Sequence, residues 1–185
     1  CLPKPQSNVM VSLFTPCEML HLQGLHPYSC EGFSSYLSGA MAEQPFLHQA
    51  EDTGIPNSLC SYHKVFIGAA QMGLMPKPRF ILSTSLACDA NTLTFRHLAQ
   101  FYDVPHFNVD IPFESSPQAV DYVAGQLRQM GEFLTQQTGL PLDDGQLART
   151  VARSQRTMAL YHRGLRLRAG RPLAVLLPEG ERSLG

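Results

Sequence analysis

The sequence predicts an α/β chain: an open, parallel-sheet, Rossmann-like domain followed by a helical hairpin. Three observations carry that expectation. Phe80–Thr84, Asp89–Tyr102 and His106–Asp110 alternate as apolar strand, amphipathic helix and strand with short connections. Strands joined by a crossover helix of that length are nearly always parallel and right-handed. Upstream, residues 9–14 (VMVSLF) lead through Thr15-Pro16 into a helical stretch, Cys17–Gln23, that stops at Gly24, a second strand-to-helix turn. From Pro117 the pattern changes to two long helical stretches, about 118–138 and 143–169, separated by TGLPLDDG.

Local chemistry supports each element in turn. Thr15 as N-cap, Pro16 at the first helical position and Glu18 in the first turn form a helix-start pattern. Residues 31–53 carry two helical patches divided near Gly39 and Pro45, and the turn cluster DTGIPNS at 52–58 delivers the chain to Cys60. The helix from Ser61 to about Met72 places Val65, Phe66, Ala69 and Met72 on one face. After GLMPKPRF, Asp89 is the expected cap of a helix whose apolar face holds Leu93, Leu98 and Phe101. Gly139-Leu140-Pro141 stops the next helix, and Asp143 or Asp144 caps the last. The expected division is residues 1–113 for the sheet domain and 114–185 for the helical hairpin and C-terminal tail. In a parallel sheet the ligand edge is the carboxyl end of the strands, where Ser83, Thr84, Ser85, Cys88, Asp110 and Pro112 fall.

Composition narrows the function classes. The 185 residues with 44% hydrophobic content can build a sizeable core. Fourteen basic against fifteen acidic residues, a formal charge of −1, and no basic stripe interleaved with aromatics argue against a nucleic-acid partner. Arg163, Arg166, Arg168 and Arg171 read as a solvated helix end that suits the dipole. No apolar run approaches the roughly 20 residues of a membrane span, and no signal peptide opens the chain, so no membrane association and a cytoplasmic location are expected. The chain lacks an initiator Met and stops in RPLAVLLPEGERSLG, which reads as a fragment or processed product. Its five cysteines, Cys1, Cys17, Cys30, Cys60 and Cys88, are an odd number in a chain too large to need stapling, which favours reduced thiols.

Cys60 (SLCSYHKVFIGAA) and Cys88 (ILSTSLACDANTLTFRHLAQFY) each follow a polar or strand-like run and open a helix. The unpaired N–H groups and positive dipole end of a helix start stabilise a thiolate or an anionic metal cluster. A separation of 28 positions excludes a CxxC knuckle or a thioredoxin-type pair, so ligands from these sites must meet across a folded scaffold. Buried packing and ligation stay comparably open on spacing alone, because free Cys is among the most buried residue types. Cys17 reads as packing, and Cys30, placed in a loop beside Tyr28 and Glu31, as undecided. His63 could bond a sulfide or carbonyl or take a polar surface position; a His joining the cysteines would suit zinc. Glu18 could complement the dipole or, buried beside a substrate, act as an acid/base.

The succession FTPCEMLHLQG, SLCSYHKVFIGAA and PKPRFILSTSLACDANTLTFRHLAQFYDVPHFNVDIPF resembles the 2-hydroxyacyl-CoA dehydratase and benzoyl-CoA reductase family of iron–sulfur subunits over about residues 9–170. The resemblance implies a 4Fe-4S cluster, or a double-cubane cluster in some relatives, with Cys60 and Cys88 as two of three protein thiolates. It places Glu18 at the family's active-site glutamate and Ser12 near a substrate contact. An ATP-dependent activator protein would supply one low-potential electron, and an acyl-CoA thioester would be the substrate. A second homologous subunit, or a second copy, would be the partner. Family subunits carry a further α/β domain that supplies the third Cys, and that domain is not visible in this sequence. The expected function is therefore a subunit or N-terminal domain of a dehydratase or related reductase. The alternatives are a non-catalytic electron-transfer or scaffold module of the same superfamily, and an α/β interaction domain with simply buried cysteines.

Overall fold

The computed structural model describes residues 5–169. Four strands form one sheet: β1 (Asn8–Val11), β2 (His26–Ser29), β3 (Phe80–Thr84) and β4 (His106–Val109), in the order β2-β1-β3-β4 and parallel throughout. Val9 pairs with Pro27 on one side and Phe80 on the other, and Thr84 pairs with Val109. The central strands β1 and β3 are buried at every residue, as parallel strands covered on both faces must be. The outermost strand β2 holds Pro27, which has no N–H to give and is tolerated at an edge.

The chain leaves β1 through α1 (Glu18–Leu22) to β2, then crosses back past β1 through α2 (Cys30–Gly39), α3 (Gln44–Asp52) and α4 (Ser61–Gln71) to β3. It continues through α5 (Asp89–Tyr102) to β4. The direction of winding reverses between β1 and β3, which makes their carboxyl ends the switch point of the sheet. Alternate residues of each strand face opposite sides, so two cores form. Met10 and Ile81 pack with Phe46, Phe66, Ile67, Phe95 and Leu98 from the α2–α5 side. Val9, Val11, Phe80 and Leu82 pack with Leu20 of α1 and with Met130 and Leu134 of α6 (Pro117–Thr138). The Phe133 ring stands edge-on to Phe80 at 5.4 Å.

Several sequence expectations shift in detail. β2 is a strand where none was expected, and it moves Cys30 from a loop to the first residue of α2. Thr15 does not cap α1: Cys17 occupies the N-cap position without a side-chain cap bond. Cys88, rather than Asp89, is the N-cap residue of α5. The buried face of α5 is Asn91, Thr94, Phe95, Leu98 and Ala99, whereas Leu93 and Phe101 are exposed, as is Met72 after α4. The first compact unit reaches Leu142, so α6 packs within the sheet domain, while the sequence reading grouped it with the following helix across a boundary at 113/114. The second unit starts at Asp143 and contains α7 (Asp144–Ala169). Asp143 caps that helix, its Oδ1 accepting from the Gln146 N–H at 2.6 Å. The expected C-terminal tail, Arg171 included, lies outside the described residues, as does Cys1. Among the described residues no helix is long and apolar enough to cross a membrane.

Candidate metal site at the carboxyl edge of the sheet

The switch point is built on Ser12, the residue after β1. Its N–H donates to the Leu82 carbonyl at 3.1 Å, and its Oγ accepts from the Thr84 N–H at 3.1 Å. The Thr15 hydroxyl lies 3.0 Å from the same Oγ and donates to Leu82 O at 3.4 Å. Ser12 is almost wholly buried, so its hydroxyl brackets β1 to β3 and fixes the departure of the loop that carries Leu13. That loop is held again by Glu31, in the first turn of α2: Oε1 accepts from the Leu13 N–H at 3.1 Å and Oε2 from the Ser29 hydroxyl at 3.3 Å. Ser29 is also the N-cap of α2, accepting from the Gly32 N–H. Burial pushes the Glu31 carboxyl up; its own backbone N–H, that of Leu13 and the Ser29 hydroxyl oppose the shift.

Cys60 and Cys88 are the N-cap residues of α4 and α5, both exposed and neither engaged in a side-chain cap bond. Their thiols therefore stand at two helix starts whose first N–H groups have no intrahelical partner. Ala87 precedes Cys88 with φ +85°, in the left-handed region that an alanine rarely adopts. That strain sits where the chain turns to aim Cys88, with Asn91 tying the loop through Nδ2 to the Leu86 carbonyl at 3.0 Å.

His63 connects the two helix starts. It lies one helical turn beyond Cys60, is 4% exposed, and places Nδ1 3.0 Å from the Thr94 hydroxyl of α5 and Nε2 3.7 Å from Cys88 Sγ. Burial lowers its pKa, which favours the neutral imidazole. Sequence reasoning leaned to a surface position for His63. The signal against that was the apolar run Val65–Ala70 directly behind it, which buries α4 from His63 onward. Leu13, Glu31, Tyr62, His63, Cys88 and Asn91 line a cleft of about 220 Å³ at this edge. Glu31 was not singled out in the sequence; its neighbour Ser29, a polar residue of capping type, was the available clue.

The remaining candidates separate from this cluster. Glu18 opens α1, is half-buried and is not among the residues lining the cleft, while its helix neighbours Cys17, Met19 and Leu20 pack in the second core. Its charge adds to burial in raising the Cys17 thiol to about 11. Cys30 is wholly buried in the core with Met10, its thiol pushed up by burial and by Glu31. A larger open hollow of about 550 Å³ lies beside Arg96, His106 and Asn108, at the flank of α5 and β4 away from the cysteines.

Among the described residues no three His, Cys, Asp or Glu side chains converge as a metal site. What the chain offers is two exposed thiols at helix starts, one backed by an imidazole. Soft thiol sulfurs at helix starts are the donor chemistry that suits an anionic iron–sulfur cluster, and the described residues offer two such sulfurs rather than a complete ligand set.

Comparison with known proteins bears on this arrangement. The alpha subunit of (R)-phenyllactyl-CoA dehydratase from Clostridium sporogenes is 25% identical over 121 residues, a stretch covering 60% of this chain and 30% of that subunit. The chain thus matches less than a third of the length of that relative. The family model for the D-component of 2-hydroxyglutaryl-CoA dehydratase matches residues 12–177, which takes in the Ser12 bracket, both cysteine helix starts and α6. By that match the chain belongs to the 2-hydroxyglutaryl-CoA dehydratase D-component family.

Proposed function

We propose that this chain is part of an iron–sulfur 2-hydroxyacyl-CoA dehydratase, or of a related acyl-CoA reductase, and contributes Cys60 and Cys88 as thiolate ligands. The observation that carries the reading is the pair of exposed, uncapped thiols at the starts of α4 and α5 in a chain of this family. A 4Fe-4S or double-cubane cluster held by Cys60 and Cys88 with ligands from a partner would supply one-electron chemistry at low potential. The chain's own part is to hold two sulfurs in place. The N–H groups at the starts of α4 and α5 offset their negative charge, the strained turn at Ala87 sets the direction of Cys88, and the Ser12 and Glu31 brackets fix the loop bearing Leu13 against the cleft.

Two thiolates leave a cluster short of protein ligands, so the reading includes a partner: a second homologous subunit, a second copy, or a further part of the same protein. The relative's designation as an alpha subunit supports a multi-subunit assembly. An ATP-dependent activator protein delivers the electron, and the substrate is an acyl-CoA thioester. Glu18, at the carboxyl edge of the sheet, serves as the acid/base, and Ser12 shapes the substrate wall through the loop it anchors.

A second reading is an electron-transfer or scaffold module without a substrate of its own. The absence of Glu18 from the residues lining the cleft favours it, as does a cleft smaller than the roughly 300–1,000 Å³ of ordinary ligand sites. Anaerobic reconstitution followed by iron and sulfide analysis and a paramagnetic-resonance spectrum tests both readings: bound iron is expected, and a protein that retains none overturns them. Glu18→Gln in the complete, partnered protein separates the two. Loss of turnover with an unchanged spectrum supports the enzyme, and unchanged turnover removes the catalytic role of Glu18.

A further inference from the structure

The cysteine pair is asymmetric. Cys88 has an imidazole against its sulfur, and that imidazole is fixed from behind by a hydroxyl on the helix that Cys88 itself begins. His63 is buried, its ring packed on Phe66 at 5.2 Å, and its Nδ1 meets Thr94 Oγ1 at 3.0 Å, so the ring is held from two sides. Thr94 is 3% exposed, so its hydroxyl is shielded from bulk solvent. A neutral imidazole carries one N–H and one lone pair. If the Thr94 hydroxyl donates to Nδ1, the ring proton must sit on Nε2, which lies 3.7 Å from Cys88 Sγ. An N–H directed at a thiolate is the interaction this geometry can make once the sulfur is deprotonated.

We propose that His63 is a positioning residue for Cys88. Its Nε2–H donates to the Cys88 sulfur, with the tautomer set by the Thr94 hydroxyl, and this stabilises the reduced, more negative state of whatever the sulfur ligates. Hydrogen bonds to ligand sulfurs and to the outer atoms of ligand side chains tune the potential and affinity of metal sites. The Thr94–His63–Cys88 line joins α4 to α5, so it also couples the two cysteine helix starts mechanically. The proposal rests on the reading of Cys88 as a cluster ligand in what it says of potential, but not in what it says of the tautomer.

The test therefore has two arms on the full protein. In the iron-free protein, long-range proton–nitrogen NMR on ring-labelled histidine should show His63 as the Nε2–H tautomer, and an Nδ1–H tautomer overturns the proposal. In the anaerobically reconstituted protein, a resonance-monitored redox titration should show the reduced-to-oxidised ratio at a fixed applied potential falling about fivefold in His63→Leu, as expected when one sulfur hydrogen bond of ordinary net strength is lost from the reduced state. Thr94→Val should move it the same way by less, and Thr94→Ser should restore the parent value. His63→Leu and Thr94→Val proteins that bind iron and titrate like the parent overturn the proposal. If the parent protein itself binds no iron, the cluster reading fails, and the NMR arm still decides the donor assignment by itself.

Discussion

All four described cysteines stand at the start of a helix, and they do not do the same thing. Cys30 opens α2 directly behind the carboxyl end of β2, as close to a helix dipole as Cys60 or Cys88. Yet it is wholly buried among Met10 and its neighbours, and burial together with the Glu31 carboxylate pushes its thiol well up. Cys60 and Cys88 occupy the same kind of position with their sulfurs exposed. The difference teaches that a helix start does not by itself make a ligand. The dipole is worth a fraction of a kcal/mol to about 2 kcal/mol, and desolvation of a thiolate in an apolar core outweighs it. Exposure at the sheet edge, with N–H groups and one imidazole at hand, is what distinguishes the ligand candidates from the packing cysteine.

The contrast is open to direct attack, most strongly at the metal. Cys60→Ser and Cys88→Ser should each reduce iron retained after anaerobic reconstitution by more than about tenfold, because a hydroxyl is a poor replacement for a thiolate on iron. Cys30→Ala should retain parental iron and instead lower the denaturant-measured unfolding free energy by about 1–2 kcal/mol, the cost of a small cavity. The scaffold that presents Cys60 comes next. A Cβ added at Gly68 on α4 would run into the backbone carbonyl of Phe46 on α3. Gly68→Ala should therefore cost about 3 kcal/mol by forcing the two helices apart, seen as a fall in Tm.

The turn that delivers Cys60 offers a smaller effect. Lys64 Nζ donates to Glu51 Oε1 at 2.6 Å and to the Asn57 carbonyl at 3.1 Å, pinning residues 53–60 to α3 and α4. Lys64→Met should cost about 1–2 kcal/mol and speed amide exchange across that turn while leaving α5 unchanged.

A separate effect, confined to acid pH, acts on the sheet itself. His106 at the start of β4 is held down to about 4 by burial first and by Arg96 second, and its Nε2 lies 2.8 Å from the Ser83 hydroxyl. Below the usual His value of about 6.5 the unfolded chain takes a proton that the folded one refuses, so this contribution to stability is lost as pH falls from about 6.5 towards 4. A Tm-against-pH curve should drop over that window and drop less in His106→Gln. His63, also lowered by burial, adds a loss of the same sign.

The sheet, its parallel sense and the two cysteine helix starts were legible because they rest on local signals: apolar runs, a crossover of fixed length and a polar residue ahead of a helix. β2 was not. The stretch His26-Pro27-Tyr28-Ser29 falls in what reads as a loop around Cys30, and its place at the sheet edge, where a missing Pro27 N–H is tolerated, lets it pair with β1. The inner face of α5 was misjudged because Leu93 and Phe101 are larger apolar residues than the Asn91 and Thr94 that are actually buried. Those two polar groups are bonded inside, to the Leu86 carbonyl and to His63, which hydropathy alone does not reveal. The Thr15 cap failed for a similar reason. Its hydroxyl is drawn to Ser12 and Leu82 across 67 residues of sequence, a tertiary demand that overrides the local one. His63 and Glu31 were hidden from periodicity because polar side chains at a sheet edge are placed by what they bond, not by which face they share.

The contrast between exposed and buried thiols is tested most directly by thiol footprinting of the anaerobic protein with iodoacetamide, read by peptide mass spectrometry before and after iron loading. Cys60 and Cys88 should be alkylated in the iron-free protein and protected once iron is bound. Cys30 should stay unmodified in both states until the chain is unfolded. Alkylation of Cys60 or Cys88 to the same extent with and without bound iron would contradict their assignment as ligands.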